Sequence, residues 1–114
     1  MALMDILMKR RSVRSYTGEP VSRKELEKIL AAGLIGPTGK GKKPWRFVVV
    51  TDPEKLEALS DMRKPAPAAF KTAGAAIAVF GDPGVSDTWV EDCSIAMENM
   101  HVMADDLGLG SVWI

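Results

Sequence analysis

The chain has 114 residues, 46% apolar and 26% charged, a composition typical of globular sequences and long enough for one domain, residues 1–114. Its longest apolar run, residues 73–80, falls far short of the roughly 18–20 residues that span a bilayer, and its N-terminal basic residues follow the apolar ones, the reverse of a secretory signal. The net charge of zero hides a division: residues 1–46 hold eleven Lys and Arg against four Asp and Glu, a balance of +7, and residues 47–114 hold four against eleven, −7. A basic half calls for an anion, which could be nucleic acid, a phosphate-bearing cofactor, a partner's acidic surface or the chain's own acidic half. With one cysteine, Cys93, no internal disulfide forms, and a reducing cytoplasm is the expected compartment.

Residues 4–11 predict a short helix with Leu3, Ile6 and Leu7 on one face and Arg10 and Arg11 at its end, where the helix dipole favours cations. Residues 13–16 read as extended and 18–20 as a turn. Ser22 followed by Glu25 is a capping-box pattern, and Leu26, Ile29, Leu30, Ala32, Gly33 and Leu34 follow at helical spacing until Gly36-Pro37. Residues 36–44, GPTGKGKKP, predict a loop without regular structure whose glycines let backbone N–H groups approach a ligand. A valine-rich run, 47–51, predicts a buried strand. Asp52-Pro53 opens a helix through Leu56 and Leu59 to about residue 62. Residues 63–72, with Pro65 and Pro67, predict irregular or broken helical structure, and 75–80 a second buried strand. The longest helix should run from near Asp87 to Leu107, stopped by Gly108, with Ala96, Met97, Met100, Ala104 and Leu107 as its core face. Residues 111–114 predict the start of a further strand. Together these elements predict an α+β (mixed α/β) fold with helices flanking a central sheet.

Two segments carry chemistry. Arg10, Arg11, Ser12 and Arg14 supply several charge-assisted donors suited to one phosphate group, or else form a solvated basic helix end. The loop around Pro37, Thr38, Gly39 and Gly41 offers backbone amides to a flat or anionic ligand and Trp45 an aromatic face, or else is a surface loop anchored by Pro44-Trp45. It lacks the GxxxxGK[ST] spacing of a phosphate loop, and it follows a helix where a dinucleotide fingerprint follows a strand. Cys93 reads as a small buried residue, His101 as a helix-surface or helix-packing residue, and Asp105-Asp106 as a solvated face. A single histidine rules out a multi-histidine metal site, and no Ser–His–Asp or metal-ligand spacing stands out.

In order and spacing, these features resemble the FMN-dependent nitroreductase family. The likeness rests on Arg10-Arg11-Ser12 with Arg14, on the Pro-Val-Ser helix start at 20–22, and on Pro37, Thr38, Pro44, Trp45 and Phe47 against P-[ST]-x-x-N-x-Q-P-W-x-F. It continues through residues 48–53 (VVVTDP), the Trp89-Val90-Glu91-Asp92-Cys93 helix start and the GLGSVWI ending, covering all 114 residues. The resemblance implies a cytoplasmic homodimer with its site at the subunit interface, FMN as cofactor and NADH or NADPH as donor. Reduction of nitroaromatic, quinone or similar small-molecule acceptors would then run in ping-pong fashion. The chemistry would be the flavin's, with no catalytic side chain, no metal, no nucleic acid and no membrane partner. It also implies that Arg10, Arg11, Ser12 and Arg14 grip the FMN phosphate and ribityl chain, while the segment equivalent to Thr38–Gly41 reaches the flavin of the other subunit.

The sequence departs from the family in two places. Gly41 stands where the family usually has asparagine, and Lys43 where it has glutamine. A side-chain hydrogen bond near the isoalloxazine ring is thereby lost, and Lys40, Lys42 and Lys43 become candidates for a cofactor phosphate, a nicotinamide phosphate or an anionic substrate. Family members also continue for another third of their length, so the alternatives are a piece of a longer reductase or a truncated, non-catalytic flavin-binding module. A nucleic-acid or acidic-partner binder using the basic half is a further reading, and its affinity would fall steeply with salt.

Overall fold

The computed structural model describes residues 2–65 and 67–114. Its main elements are α1 (Leu3–Lys9), α2 (Arg23–Leu34), β1 (Trp45–Val50), α3 (Pro53–Leu59), β2 (Ala76–Gly81) and α4 (Trp89–Asp106), the α+β arrangement that the sequence predicts. The start of α2 is set locally. The Ser22 hydroxyl accepts the Glu25 backbone N–H at 3.1 Å while the Glu25 carboxylate accepts the Ser22 N–H at 3.1 Å. Such a cap is worth about 1 kcal/mol, because it satisfies N–H groups that the helix leaves open. Asp52 caps α3 by accepting the Glu54 N–H at 2.9 Å, with Pro53 in the first turn.

Helix α4 is the centre of the packing. Its small residues Ala96 and Ala104 and the flexible Met100 are buried, Ala96 completely. They receive Ile29 of α2 together with Phe47, Ile77 and Val79 of the sheet. Gly33 allows the helices to approach, since a Cβ there would stand 3.0 Å from both Met100 Cγ and Sδ. Just beyond, Asn99 Nδ2 donates to the Ala32 carbonyl at 3.0 Å. It thereby occupies one of the carbonyls that a helix C-terminus leaves unpaired. The methionine stripe is thus core packing, as its spacing predicts.

β1 and β2 pair antiparallel, from Trp45↔Gly81 to Val50↔Ala76. The expectation of two buried strands is corrected. One face packs on α4, whereas Val48 and Phe80 are 50% and 56% exposed. An antiparallel pair needs cover on one face only, and the apolar run 47–50 conceals that alternation. The loop before β1 is also more regular than expected, since Gly39–Gly41 forms a single 3-10 turn.

Two further expectations change, and a third, the broken structure at 63–72, holds. α1 ends at Lys9, and only Ile6 of its apolar residues is buried, Leu3 and Leu7 remaining exposed. A helix of two turns resting on α4 has room to bury little more. Among the described residues, 111–114 form no strand: a single parallel bridge joins Ser12 to Ser111, with the Val13 N–H donating to the Ser111 carbonyl at 2.9 Å. Within 63–72, Ala68–Lys71 is a 3-10 turn, and Ala66 lies outside the described residues.

Gly81 separates steric from conformational use of glycine. A Cβ there would lie 2.3 Å from the Trp89 ring and 3.0 Å from Cys93 Sγ, whereas Gly18, at φ +83°, has open space around it. Gly81→Ala is expected to cost about 1–3 kcal/mol by overpacking. Gly18→Ala should cost about 1 kcal/mol through backbone strain alone. Urea denaturation measures both, and a loss well below about 1 kcal/mol at Gly81 would contradict the close packing of β2 on α4.

Candidate active site

The arginine segment leaves α1 as an extended strip, residues 10–19, laid across three neighbours. Ser111 pairs with Ser12 and Val13, the Tyr16 N–H donates to Thr72 Oγ1 at 2.9 Å, and the Glu19 carbonyl fills the place a Cβ on Gly74 would need. Arg11, Ser12 and Arg14 are exposed along it, while Arg10 is half-buried. The Tyr16 phenol is pushed up by burial, with the nearby Arg14 charge pulling the other way. Among the described residues the ion pairs are Lys9–Asp105 at 3.2 Å and Arg23–Glu27 at 2.9 Å. None of the three arginines on the strip therefore meets a carboxylate. Arg10 instead places Nη1 3.2 Å from His101 Nε2, and His101 Nδ1 is hydrogen-bonded to Ser111 Oγ.

The glycine loop is held from the other end of α4. Asp92 is 3% exposed; its Oδ1 accepts the Gly39 N–H at 2.9 Å and its Oδ2 accepts the Thr88 hydroxyl at 3.0 Å. Thr88 and Ser86 share a further hydroxyl contact of 2.9 Å. Gly39 is obligatory for this approach, because a Cβ would stand 2.3 Å from Thr88 Oγ1. Thr38 Oγ1 accepts the Lys43 N–H at 3.2 Å, and Gly41 sits at φ +65° with nothing within 4 Å of a Cβ. Pro37 and Gly41 are exposed, Thr38 and Gly39 half-buried.

The two segments are anchored at separate points on α4. Their anchors on α4, Asp92 and His101, lie nine residues apart, which is about 13 Å along a helix. A hollow of about 40 Å³ lies between Gly39, Lys40, Lys42 and Ser86, Asp87, Thr88. A larger one, about 340 Å³, opens beside α3 among Glu54, Glu57 and Asp61, whose carboxylates suit no phosphate.

Several side chains differ from their expected roles. Trp45 is 7% exposed, packed among Cys93, Ala96, Phe47 and Trp89, and so presents no aromatic face to a ligand. It and Pro44 anchor the loop to the core. Asp105 is half-buried and paired with Lys9, so only Asp106 is a solvated residue. Burial, and then the neighbouring Asp92, push the Cys93 thiol up, consistent with a packing role. Asp92 was legible in principle: residues 92, 96, 100 and 104 repeat at a spacing of four, and a carboxylate in that buried series needs partners. His101 carried no such signal, since its partner Arg10 is 91 residues away. Among the described residues, no group of three or more His, Cys, Asp or Glu is placed to hold a metal. No helix there is long and apolar enough to cross a membrane.

Residues 7–87 match the model of the Nitroreductase family. A relative from Archaeoglobus fulgidus, provisionally named NADH dehydrogenase/NAD(P)H nitroreductase, is 39% identical over 97% of this chain and 66% of its own. One of the same provisional name from Methanothermobacter thermautotrophicus is 38% identical over 99% of this chain and 60% of its own. The chain therefore spans less than two thirds of the length of these two curated relatives. The structure of an FMN-dependent nitroreductase from Clostridium difficile R20291 superposes with a TM-score of 0.93 at 44% identity, covering 97% of this chain and 65% of that one.

The Asp92 clamp makes a separable prediction. Asp92→Ala strands the Gly39 N–H and the Thr88 hydroxyl, and is expected to cost about 2–4 kcal/mol. Amide exchange at Gly39 should quicken at the same time. Glu91→Ala, at the exposed neighbour, should change stability by less than about 0.5 kcal/mol and leave Gly39 exchange as it was.

Proposed function

The chain belongs to the nitroreductase family, and from that membership we propose that it is the cofactor-binding part of an FMN-dependent NAD(P)H oxidoreductase. The observation that carries the reading is a row of arginines, Arg10, Arg11 and Arg14, with Ser12 among them, meeting no carboxylate in the described residues. That donor set fits a phosphate monoester and the hydroxylated chain attached to it: guanidinium forks match phosphate oxygens, and the serine hydroxyl adds a directional bond. When bound, FMN would supply the redox chemistry, taking a hydride from NADH or NADPH and passing electrons to a small-molecule acceptor of nitroaromatic or quinone type.

The chain's own part is to hold and to shield. The arginine strip binds the phosphate end. The segment Pro37, Thr38, Gly39 and Gly41, kept in place by Asp92, lies against the ring of a flavin held by a second copy. A homodimer with a shared site accounts for the distance between the two segments within one chain. It also accounts for the 40 Å³ hollow at the loop, since cofactor pockets run to about 300–1,000 Å³. No acid–base side chain is required where the protein orients the cofactor and its substrates. A cytoplasmic location fits the single buried cysteine.

The purified protein should be yellow and should bleach when NADPH is added without oxygen; a colourless protein that takes up no added FMN would sink the reading. Arg10→Ala and Arg14→Ala should each weaken FMN retention by about tenfold or more, the scale of a lost charge-assisted contact. Lys24→Ala, on the exposed face of α2, should not. Light scattering tests the shared site separately: full flavin occupancy on a monomer would overturn it.

A further inference from the structure

We propose that His101 is a positioning residue, which fixes the Arg10 guanidinium for a phosphate oxyanion while leaving its positive charge uncancelled. This rests on the reading of Arg10 as a phosphate ligand. The geometry begins with direction. A guanidinium can only donate, so in the contact between Arg10 Nη1 and His101 Nε2, at 3.2 Å, the imidazole nitrogen accepts. The ring proton then sits on Nδ1 and is donated to Ser111 Oγ. Ser111 is itself fixed, because its carbonyl accepts the Val13 N–H at 2.9 Å. A chain of contacts thus runs from the arginine strip through His101 and back to the strip.

The choice of acceptor matters. Where α1 ends, Lys9 and Arg10 meet two residues one turn apart on α4: Lys9 takes the Asp105 carboxylate at 3.2 Å, and Arg10 takes His101. The nearby carboxylate is therefore engaged by the lysine. Had Arg10 met it, an incoming phosphate would have had to break an ion pair and compete with a charge already satisfied. An uncharged imidazole orients the guanidinium and cancels nothing. Arg10 keeps its charge and its remaining N–H donors, with part of its side-chain freedom already removed before any ligand arrives. Ligand binding gains from such preorganisation.

Because His101 is the only histidine, its ring nitrogens can be read directly by ¹⁵N NMR of the ligand-free protein. Nδ1 should be protonated and Nε2 free. Arg10→Ala should move the ring toward the Nε2–H form. An Nε2–H ring in the unaltered protein overturns the proposal whatever the flavin does. The second measurement titrates flavin-stripped protein with FMN and with riboflavin, which lacks the phosphate. His101→Leu should weaken FMN about tenfold, near 1.4 kcal/mol, and leave riboflavin within about twofold. His101→Gln, which can accept from Arg10 and donate to Ser111, should recover FMN binding to within about threefold of the unaltered chain. The double variant Arg10→Ala/His101→Leu should bind FMN no more weakly than Arg10→Ala alone. Multiplied losses, or equal loss of FMN and riboflavin in His101→Leu, would mean that His101 does not act through Arg10. A full effect of Arg10→Ala with none of His101→Leu removes the His101 role alone, whereas an unaltered FMN preference in Arg10→Ala removes the phosphate reading and this proposal together.

Discussion

A helix of 18 residues is about 27 Å long, and α4 uses that length to hold together parts of the chain that are far apart in sequence. Its buried series Ala96, Met100 and Ala104 receives α2 and the sheet, so the helix cannot shift without opening the core. Once it is fixed there, its polar residues become fixed posts. Asp92 takes the Gly39 amide, Asn99 takes the end of α2, His101 takes Arg10, and Asp105 takes Lys9. The spacing of these posts sets where each attached segment can stand. That spacing, about 13 Å between the loop and the arginine anchors, is the geometric reason for reading the site as shared between two copies.

The charge division acquires a meaning from the same contacts. Of the ion pairs among the described residues, Lys9–Asp105 alone joins the basic half to the acidic half. The opposed charges of +7 and −7 therefore do not cancel through paired side chains. The strip at residues 10–14 and the loop lysines carry much of the basic excess. Surface ion pairs would have contributed little to stability in any case, so leaving these arginines unpaired sacrifices little.

The loop shows a similar preference for position over comfort. Lys40 and Lys43 hold φ values of +55° and +52°, a region that costs an ordinary side chain about 1–2 kcal/mol. Their backbone is held there by neighbours: Asp92 fixes Gly39, Thr38 fixes the Lys43 amide, and Pro44 and Trp45 are sunk in the core. Gly41 lies between them at φ +65° with open space around it. The absent asparagine of the family pattern is therefore no consequence of crowding, since asparagine tolerates this backbone region better than most residues. Lys43 places a cation where the family pattern has glutamine.

The sequence by itself determined what depends on neighbours a few residues apart. The Ser22–Glu25 box, the Asp52-Pro53 start, the stripe from Ala96 to Leu107 and the two apolar runs specify the helices and strands, since caps and periodicity act within one or two turns. The ordered motifs were enough to identify the family. Tertiary structure decided the rest. Whether Trp45 faces a ligand or the core, whether residues 111–114 find a strand to pair with, and which acceptor Arg10 meets all depend on contacts across long sequence separations. Gly39 and Asp92 are 53 residues apart, Ala32 and Asn99 are 67, and Arg10 and His101 are 91. Hydrogen bonds of that range have no period to betray them, because each exists only after the core has brought its two partners to the same side of α4.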